Sequence, residues 1–330
     1  MFKTKILLVD GLNMFYRAFC ANPALSTKGH HVGGILGFFY SLQKGIKDVN
    51  PHRIFVIWDG RGGSKKRREI RSDYKDGRKP PKPITLNRTH DIQLSEEEEK
   101  TSLYYQQGRT IELLNNLPFI QLCESGVEAD DFISYLCAKY STKESCMKVI
   151  ISNDKDFIQL TDDSTILYRP VTQEYVTYKS FLEAEGVHPA NMALARAIEG
   201  DMGDNLSGVK GVGRKTIIKV FPEFSSSEFI TTDKLFSLCE ERKEIRACKL
   251  ILEEKEIVQQ NYDVMQLYAP LVPAVTAMKI DQQIADYIPD ISLSSFYDSI
   301  EKEGIEGTSF SAMTNHAYKM IKDYKNERST

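Results

Sequence analysis

Six cysteines among 330 residues (Cys20, Cys123, Cys137, Cys146, Cys239 and Cys248) include no closely spaced pair of the kind that ligates zinc. Most stand in apolar surroundings, which predicts buried thiols in a reducing compartment and no cysteine nucleophile. The six histidines are scattered, and His30 and His31 lie away from the acid-rich stretches, so no histidine offers itself as a general base. No uninterrupted apolar run approaches the ~20 residues of a membrane span, and a strand starts near the N-terminus without a signal-peptide pattern. A soluble, cytoplasmic monomer without a membrane partner is expected, in the host-cell cytoplasm if the source is viral. Net charge is only −3, and 41% hydrophobic residues suffice for a sizeable core. That near-balance conceals a segregation of charge along the chain.

Acid gathers where an α/β protein builds its site. Three short apolar runs, Lys5 to Asp10, Arg53 to Asp59 and Lys148 to Asp154, have the form of strands buried on both faces, and each ends in aspartate. In an open parallel sheet the carboxyl ends of the strands form the ligand crevice, so these acids should meet on one rim. Ser125-Gly-Val-Glu-Ala-Asp-Asp131 reads as a capping box opening an acidic helix that runs to Tyr140. Asp156, Asp201 and Asp204 complete a set of nine with Asp10, Asp59, Glu128, Asp130, Asp131 and Asp154. Carboxylates so crowded raise one another's pKa, and hard divalent cations relieve that repulsion.

Positive charge is gathered elsewhere. Residues 61–82 hold ten Lys or Arg against three acids, a net of +7, directly after Asp59. A solvated face explains many such runs. Beside an acidic rim, the run suits a polyanion held by metal, with Lys75 and Arg78 sharing a face if helical and Tyr74 able to stack on a base. Ile84 to Lys100 reads as loop, and helix is expected from Leu103 to Leu117, then a strand over Phe119 to Cys123. Thr165 to Tyr168 and Glu174 to Tyr178 read as strands at a sheet edge. Further on, Gly208, Gly211 and Gly213 form a tight turn leading into a helix, with Lys210, Arg214, Lys215 and Lys219 and no acid between residues 205 and 220. The spacing is not that of a nucleotide-binding P-loop, and gripping a nucleic-acid backbone fits better.

In order and spacing, Leu-Val-Asp10-Gly, Trp-Asp59-Gly, Glu128-Ala-Asp-Asp131, Ser152-Asn-Asp-Lys-Asp156, Gly200-Asp-Met-Gly-Asp204-Asn and Gly208-Val-Lys-Gly-Val-Gly213 resemble the flap endonuclease and 5′-exonuclease family. The likeness is greatest to its bacteriophage members and to the 5′-nuclease domain of bacterial DNA polymerase I, and covers about residues 1–222. It implies an α/β fold: a twisted, mostly parallel sheet flanked by helices, with a helical arch over the site and a helix-hairpin-helix for duplex DNA. It implies one divalent ion held by the acids at Asp10, Asp59, Glu128 and Asp130. A second would lie near Asp130, Asp131, Asp154, Asp156 and Asp204, with Asp201 acting through water. Magnesium is expected, manganese can substitute, and a monovalent cation at the hairpin is part of the same implication. Arg67, Tyr74, Lys75 and Arg78 match arch positions, Lys75 and Arg78 stabilising the scissile phosphate. Arg17, Gly208, Lys210, Gly211, Gly213, Arg214 and Lys215 are expected to meet DNA. Ile217 departs from the small residue usual at its position.

The activity so implied is two-metal phosphodiester hydrolysis at DNA flaps, nicks or RNA/DNA primer 5′ ends, with replication proteins as further partners. A polynucleotide phosphatase would explain the acids but not the hairpin, and a non-catalytic DNA-binding protein the cations but not the acids. The expected division is a PIN-like nuclease core over 1–180, including an arch at about 61–110, then a helical region over 181–330. Residues 223–330 carry no recognised motif, and Arg242 to Gln260 is expected to be one helix.

Overall fold

The computed structural model describes residues 4–76, 94–141 and 145–327. Six strands form the central sheet: β1 (Thr4–Asp10), β2 (Arg53–Ile57), β3 (Ile120–Leu122), β4 (Cys146–Ile151), β5 (Thr165–Arg169) and β6 (Glu174–Val176). Their order is β3-β2-β1-β4-β5-β6, all parallel except the β5–β6 edge pair. Order reverses beside β1, so the crevice of this doubly wound sheet opens at the carboxyl ends of β1 and its neighbours. The mostly parallel sheet flanked by helices is therefore as expected.

Alternation along the central strands divides the core. Leu7, Val9, Val56, Val149 and Ile151 face α1 (Gly11–Ala21) and α2 (Gly33–Val49), while Ile6, Leu8, Phe55 and Ile150 face the helix Ala129–Ser141. The α2 stripe of Ile35, Phe38, Phe39, Leu42 and Ile46 is fully buried, and the helix ends where Asn50 turns left-handed (φ 52°) before Pro51.

After α3 (Lys65–Ile70), α4 spans Glu96–Leu114 and α5 is the Ala129–Ser141 helix. The acidic run Glu96–Glu99, read above as loop, is instead the first turn of α4. Ser95 and Glu98 form a capping box there, and the four glutamates complement the helix dipole. Of the arch expected at about 61–110, residues 77–93, with Arg78, lie outside the described residues.

Beyond the sheet come α6 (Tyr178–Glu185) and α7 (Met192–Glu199), the two-stranded hairpin β7 (Gly200–Asp201) with β8 (Leu206–Ser207), and α8 (Arg214–Val220). Then follow α9 (Thr232–Glu241), α10 (Arg246–Glu253), α11 (Lys255–Met265), α12 (Ala274–Asp286), α13 (Leu293–Lys302) and α14 (Ser311–Glu327). The single helix expected over Arg242–Gln260 is broken at Glu254 into α10 and α11. The side chains of 181–330 pack into three places. Residues from Val187 to Val258 build their own core, whereas Ile280 and Ile284 join the α5 side of the sheet and Phe296, Phe310 and Met313 pack on Phe39 and α2. Among the described residues no helix is long and apolar enough to cross a membrane, and all six cysteines are free thiols, four of them buried.

Candidate active site

Asp10 ends β1 and caps α1, its Oδ1 accepting from the Asn13 N–H at 3.2 Å. Its Oδ2 accepts from Ser152 Oγ at 2.8 Å, and Ser152 Oγ in turn accepts from the Asp154 N–H at 3.0 Å. Asp154 Oδ1 then takes the Asp156 N–H at 2.9 Å, so the loop after β4 is folded around the β1 acid. Burial pushes the Asp10 carboxyl up to about 8, helped by the charge of Asp59 and opposed by the Ser152 and Asn13 bonds.

Asp59, just past β2, accepts from the Ala129 N–H at 2.8 Å and so caps α5. The capping role expected of Ser125 and Glu128 passes to a strand-end acid, because the turn at Gly126 (φ 79°) starts the helix only at Ala129. Asp59 is open to solvent at the crevice mouth yet walled in by protein. Desolvation raises its pKa, the Ala129 bond opposes this, and Glu128 adds to the rise.

Glu128, Asp130 and Asp131 bring carboxylate oxygens within 4.8 Å of one another at the start of α5. The Arg67 guanidinium, itself buried, sits among them: Nη1 lies 2.8 Å from Asp131 and 3.4 Å from Asp130 and also bonds Glu128. Desolvation works against the charge on Arg67, but Asp130, Asp131 and Glu128 outweigh it. Arg67 Nε donates to the Val264 carbonyl at 2.9 Å, and the Leu271 N–H donates to Asp131 Oδ1 at 2.8 Å, tying α3 and α5 to the chain around α11. Asp131 is thus the acid most fully engaged by protein. Burial takes Asp130 up to about 7, with Arg67 opposing and Asp131 and Glu128 adding; in Glu128, Arg67 and Lys75 overcome burial and lower the pKa.

Asp201 and Asp156 are joined by one side chain that the sequence reading missed, Arg196, which ion-pairs with both. Its signal was a lone cation in the apolar octet Met-Ala-Leu-Ala-Arg-Ala-Ile-Glu. Asp204 stands in the β7–β8 turn, its carbonyl accepting from the Lys75 N–H at 2.9 Å. Contacts thus run from Asp10 through Asp154 and Asp156 to Asp201, whose carbonyl takes the Asp204 N–H at 3.2 Å, while Asp59, whose charge acts on Asp10, caps the helix that carries Glu128, Asp130 and Asp131. A cavity of about 580 Å³ opens at the other end of the sheet, where Thr4, Arg53 and Cys146 start their strands, and none of the nine acids lines it.

The cations redistribute more. Lys75 Nζ lies 2.9 Å from Glu128 Oε1 in a turn whose φ is 59°, so no helical face carries it there. Burial opposes its charge, but Tyr74 and Glu128 hold it protonated above the ordinary lysine range. Tyr74 is 4% exposed, packed with Leu206, Val264 and Met265, and presents no face for base stacking. Arg67 belongs to the acids rather than to an exposed DNA surface. Arg214 is bound by Glu199 and Glu185, at 2.6 and 3.3 Å, because α8 lies against α7 and α6. Gly208 serves a backbone crossing: a Cβ there would stand 2.2 Å from the Glu199 carbonyl. Gly211 (φ 88°) makes the turn, Gly213 precedes α8 with open space around it, and buried Ile217 fills the hairpin core. Arg17, Lys210 and Lys215 are exposed.

An oxygen-only donor set at this spacing suits hard divalent ions, and a buried guanidinium among three of the acids shows that the place takes a cation. The 5′-3′ exonuclease of Aquifex aeolicus is 32% identical over 81% of this chain and 82% of its own length. DNA polymerase I of Thermus thermophilus is 33% identical over 68% of this chain, which spans only 25% of that polymerase. The bacteriophage T5 D15 flap endonuclease, solved with DNA and metal ions, shares the fold with a TM-score of 0.64 at 20% identity, covering 91% of this chain and 99% of that one. Residues 5–186, more than half of the chain, match the model described as "5'-3' exonuclease, N-terminal resolvase-like domain", and the chain belongs to the 5′-3′ exonuclease family.

Proposed function

We propose that this exonuclease-family member is a structure-specific 5′ nuclease that cuts DNA at 5′ flaps, nicks or RNA/DNA primer ends by metal-dependent phosphodiester hydrolysis. The observation that carries the reading is the linked rim of acids at the strand ends, three of them already closed around a cation. Asp10, Asp59, Glu128 and Asp130 would hold one divalent ion, and Asp154, Asp156 and Asp204 with Asp130 a second, Asp131 and Asp201 orienting their neighbours through Arg67 and Arg196. Magnesium, with manganese as substitute, would supply charge neutralisation at the scissile phosphate and a nucleophile at neutral pH when held by these acids. Asp10 and Asp130 release protons as the acids take up charge partners, and the Ser152 bond fixes the Asp10 carboxylate in place. Lys75, already beside Glu128, brings a positive charge to the transferring phosphate. The exposed cations Lys210 and Lys215 hold the duplex, with a monovalent ion at the Gly208–Gly213 turn. Replication in the cytoplasm is the setting these substrates imply.

A 5′-end-labelled flap duplex incubated with magnesium or with chelator tests this. Magnesium-dependent release of the flap supports the reading. Release of terminal phosphate alone would make the protein a phosphatase, and a shifted but uncut duplex would make it a binding protein.

A further inference from the structure

The charged side chains around the hairpin fall into two sets. Arg214 is held by Glu199 and Glu185, Arg242 by Glu223, and Lys255 by Glu240. Lys215, Lys219 and Arg246 have no ion-pair partner among the described residues, all three are exposed, and they line a single groove of about 630 Å³ between α8 and α10. The groove has the Thr216 hydroxyl beside the cations and an apolar floor that includes Val220 and Leu250, and no acid lines it. Three like charges converging without a counter-ion repel one another, and a polyanion removes that repulsion. The lining also lacks any aromatic side chain, which argues against a single strand, since single-strand grooves take bases on aromatic faces.

We infer that Arg246, supplied by the region beyond the hairpin motif, forms with Lys215 and Lys219 a cradle for consecutive phosphates of one strand of duplex DNA. The inference rests on the nuclease reading for its substrate. It assigns the segment after residue 222 a direct part in holding that substrate.

Fluorescence anisotropy with a blunt, flap-free DNA duplex in magnesium, measured over a series of salt concentrations, tests the cradle separately from cleavage. Arg246→Ala should weaken duplex binding by about fivefold at 0.15 M salt and lower the salt slope by about one, as for one lost phosphate contact. Arg246→Lys should restore both. Lys249→Ala, on an exposed residue of the same helix outside the groove, should change neither. A single-stranded oligonucleotide of equal length should bind Arg246→Ala as it binds the unaltered protein. An unchanged duplex slope for Arg246→Ala, or an equal loss with the single strand, overturns the cradle. Failure of the unaltered protein to cut a flap would instead sink the nuclease reading and leave the anisotropy result standing.

Discussion

Asp10 and Asp130 show what burying carboxylates, and then gathering them, does to their protons. Their folded-state pKa values, about 8 and about 7, lie far above the ordinary aspartate value of 3.8, so the folded chain binds protons that the unfolded chain has released. Stability from these groups is complete below about pH 4, falls as pH rises above the unfolded value, and is gone once pH has passed through the folded values. In chelator, the melting temperature should therefore fall between pH 5 and pH 8, and magnesium should restore more of it at pH 8 than at pH 6. A scanning-calorimetry pH series that is flat in chelator would count against so crowded a site. Asp10→Asn should abolish cleavage yet stabilise the metal-free protein at pH 8 by about 1–2 kcal/mol, the trade common at functional sites. At this scale the sequence was informative where a residue's role follows from its place at a strand end, as for Asp10, Asp59 and Asp154. It was silent on pairings made by the fold. Arg67 stands 61 residues from Glu128 and 64 from Asp131 along the chain, and nothing local in a basic run says which cation turns inward.

Two turns carry the cation proposed to meet the scissile phosphate and the hairpin. Lys75 holds φ 59°, a region costing non-glycine residues about 1–2 kcal/mol, in a turn fixed by the Asp204 carbonyl. Lys75→Ala should slow single-turnover cleavage about a hundredfold at saturating enzyme, the size usual for one preorganised charge. Lys75→Gly should be as slow but more stable than Lys75→Ala by about 1 kcal/mol in denaturant titration, since glycine relaxes the backbone. Equal stability would mean that the turn is unstrained. At Gly208 the backbone crosses Glu199 too closely for any Cβ, so Gly208→Ala should cost about 1–3 kcal/mol and weaken duplex binding with it. Unaltered unfolding would show that the crossing can open. Apolar periodicity makes α2 and the strands legible in the sequence, whereas the four glutamates that open α4 carry no apolar stripe and are helical through the Ser95 cap.

The whole molecule closes on itself. The last helices return to the sheet, Phe296 and Phe310 meeting Phe39 at ring-centroid distances of 5.6 and 5.7 Å, so the final third of the chain stabilises the face that positions α1 and Asp10. Phe296→Ala should destabilise by about 3–5 kcal/mol, seen as a shift in the denaturant midpoint of one cooperative transition. Long-range packing of this kind leaves no mark in local sequence pattern, which is why residues 223–330 carry no recognisable motif. The central claim is that the acids of the rim hold the cations that cut DNA, and the single-turnover rate of Asp154→Asn on saturating flap duplex in magnesium tests it most directly. The account predicts a loss of at least about a hundredfold with the duplex still bound, and cleavage at the unaltered rate would contradict it.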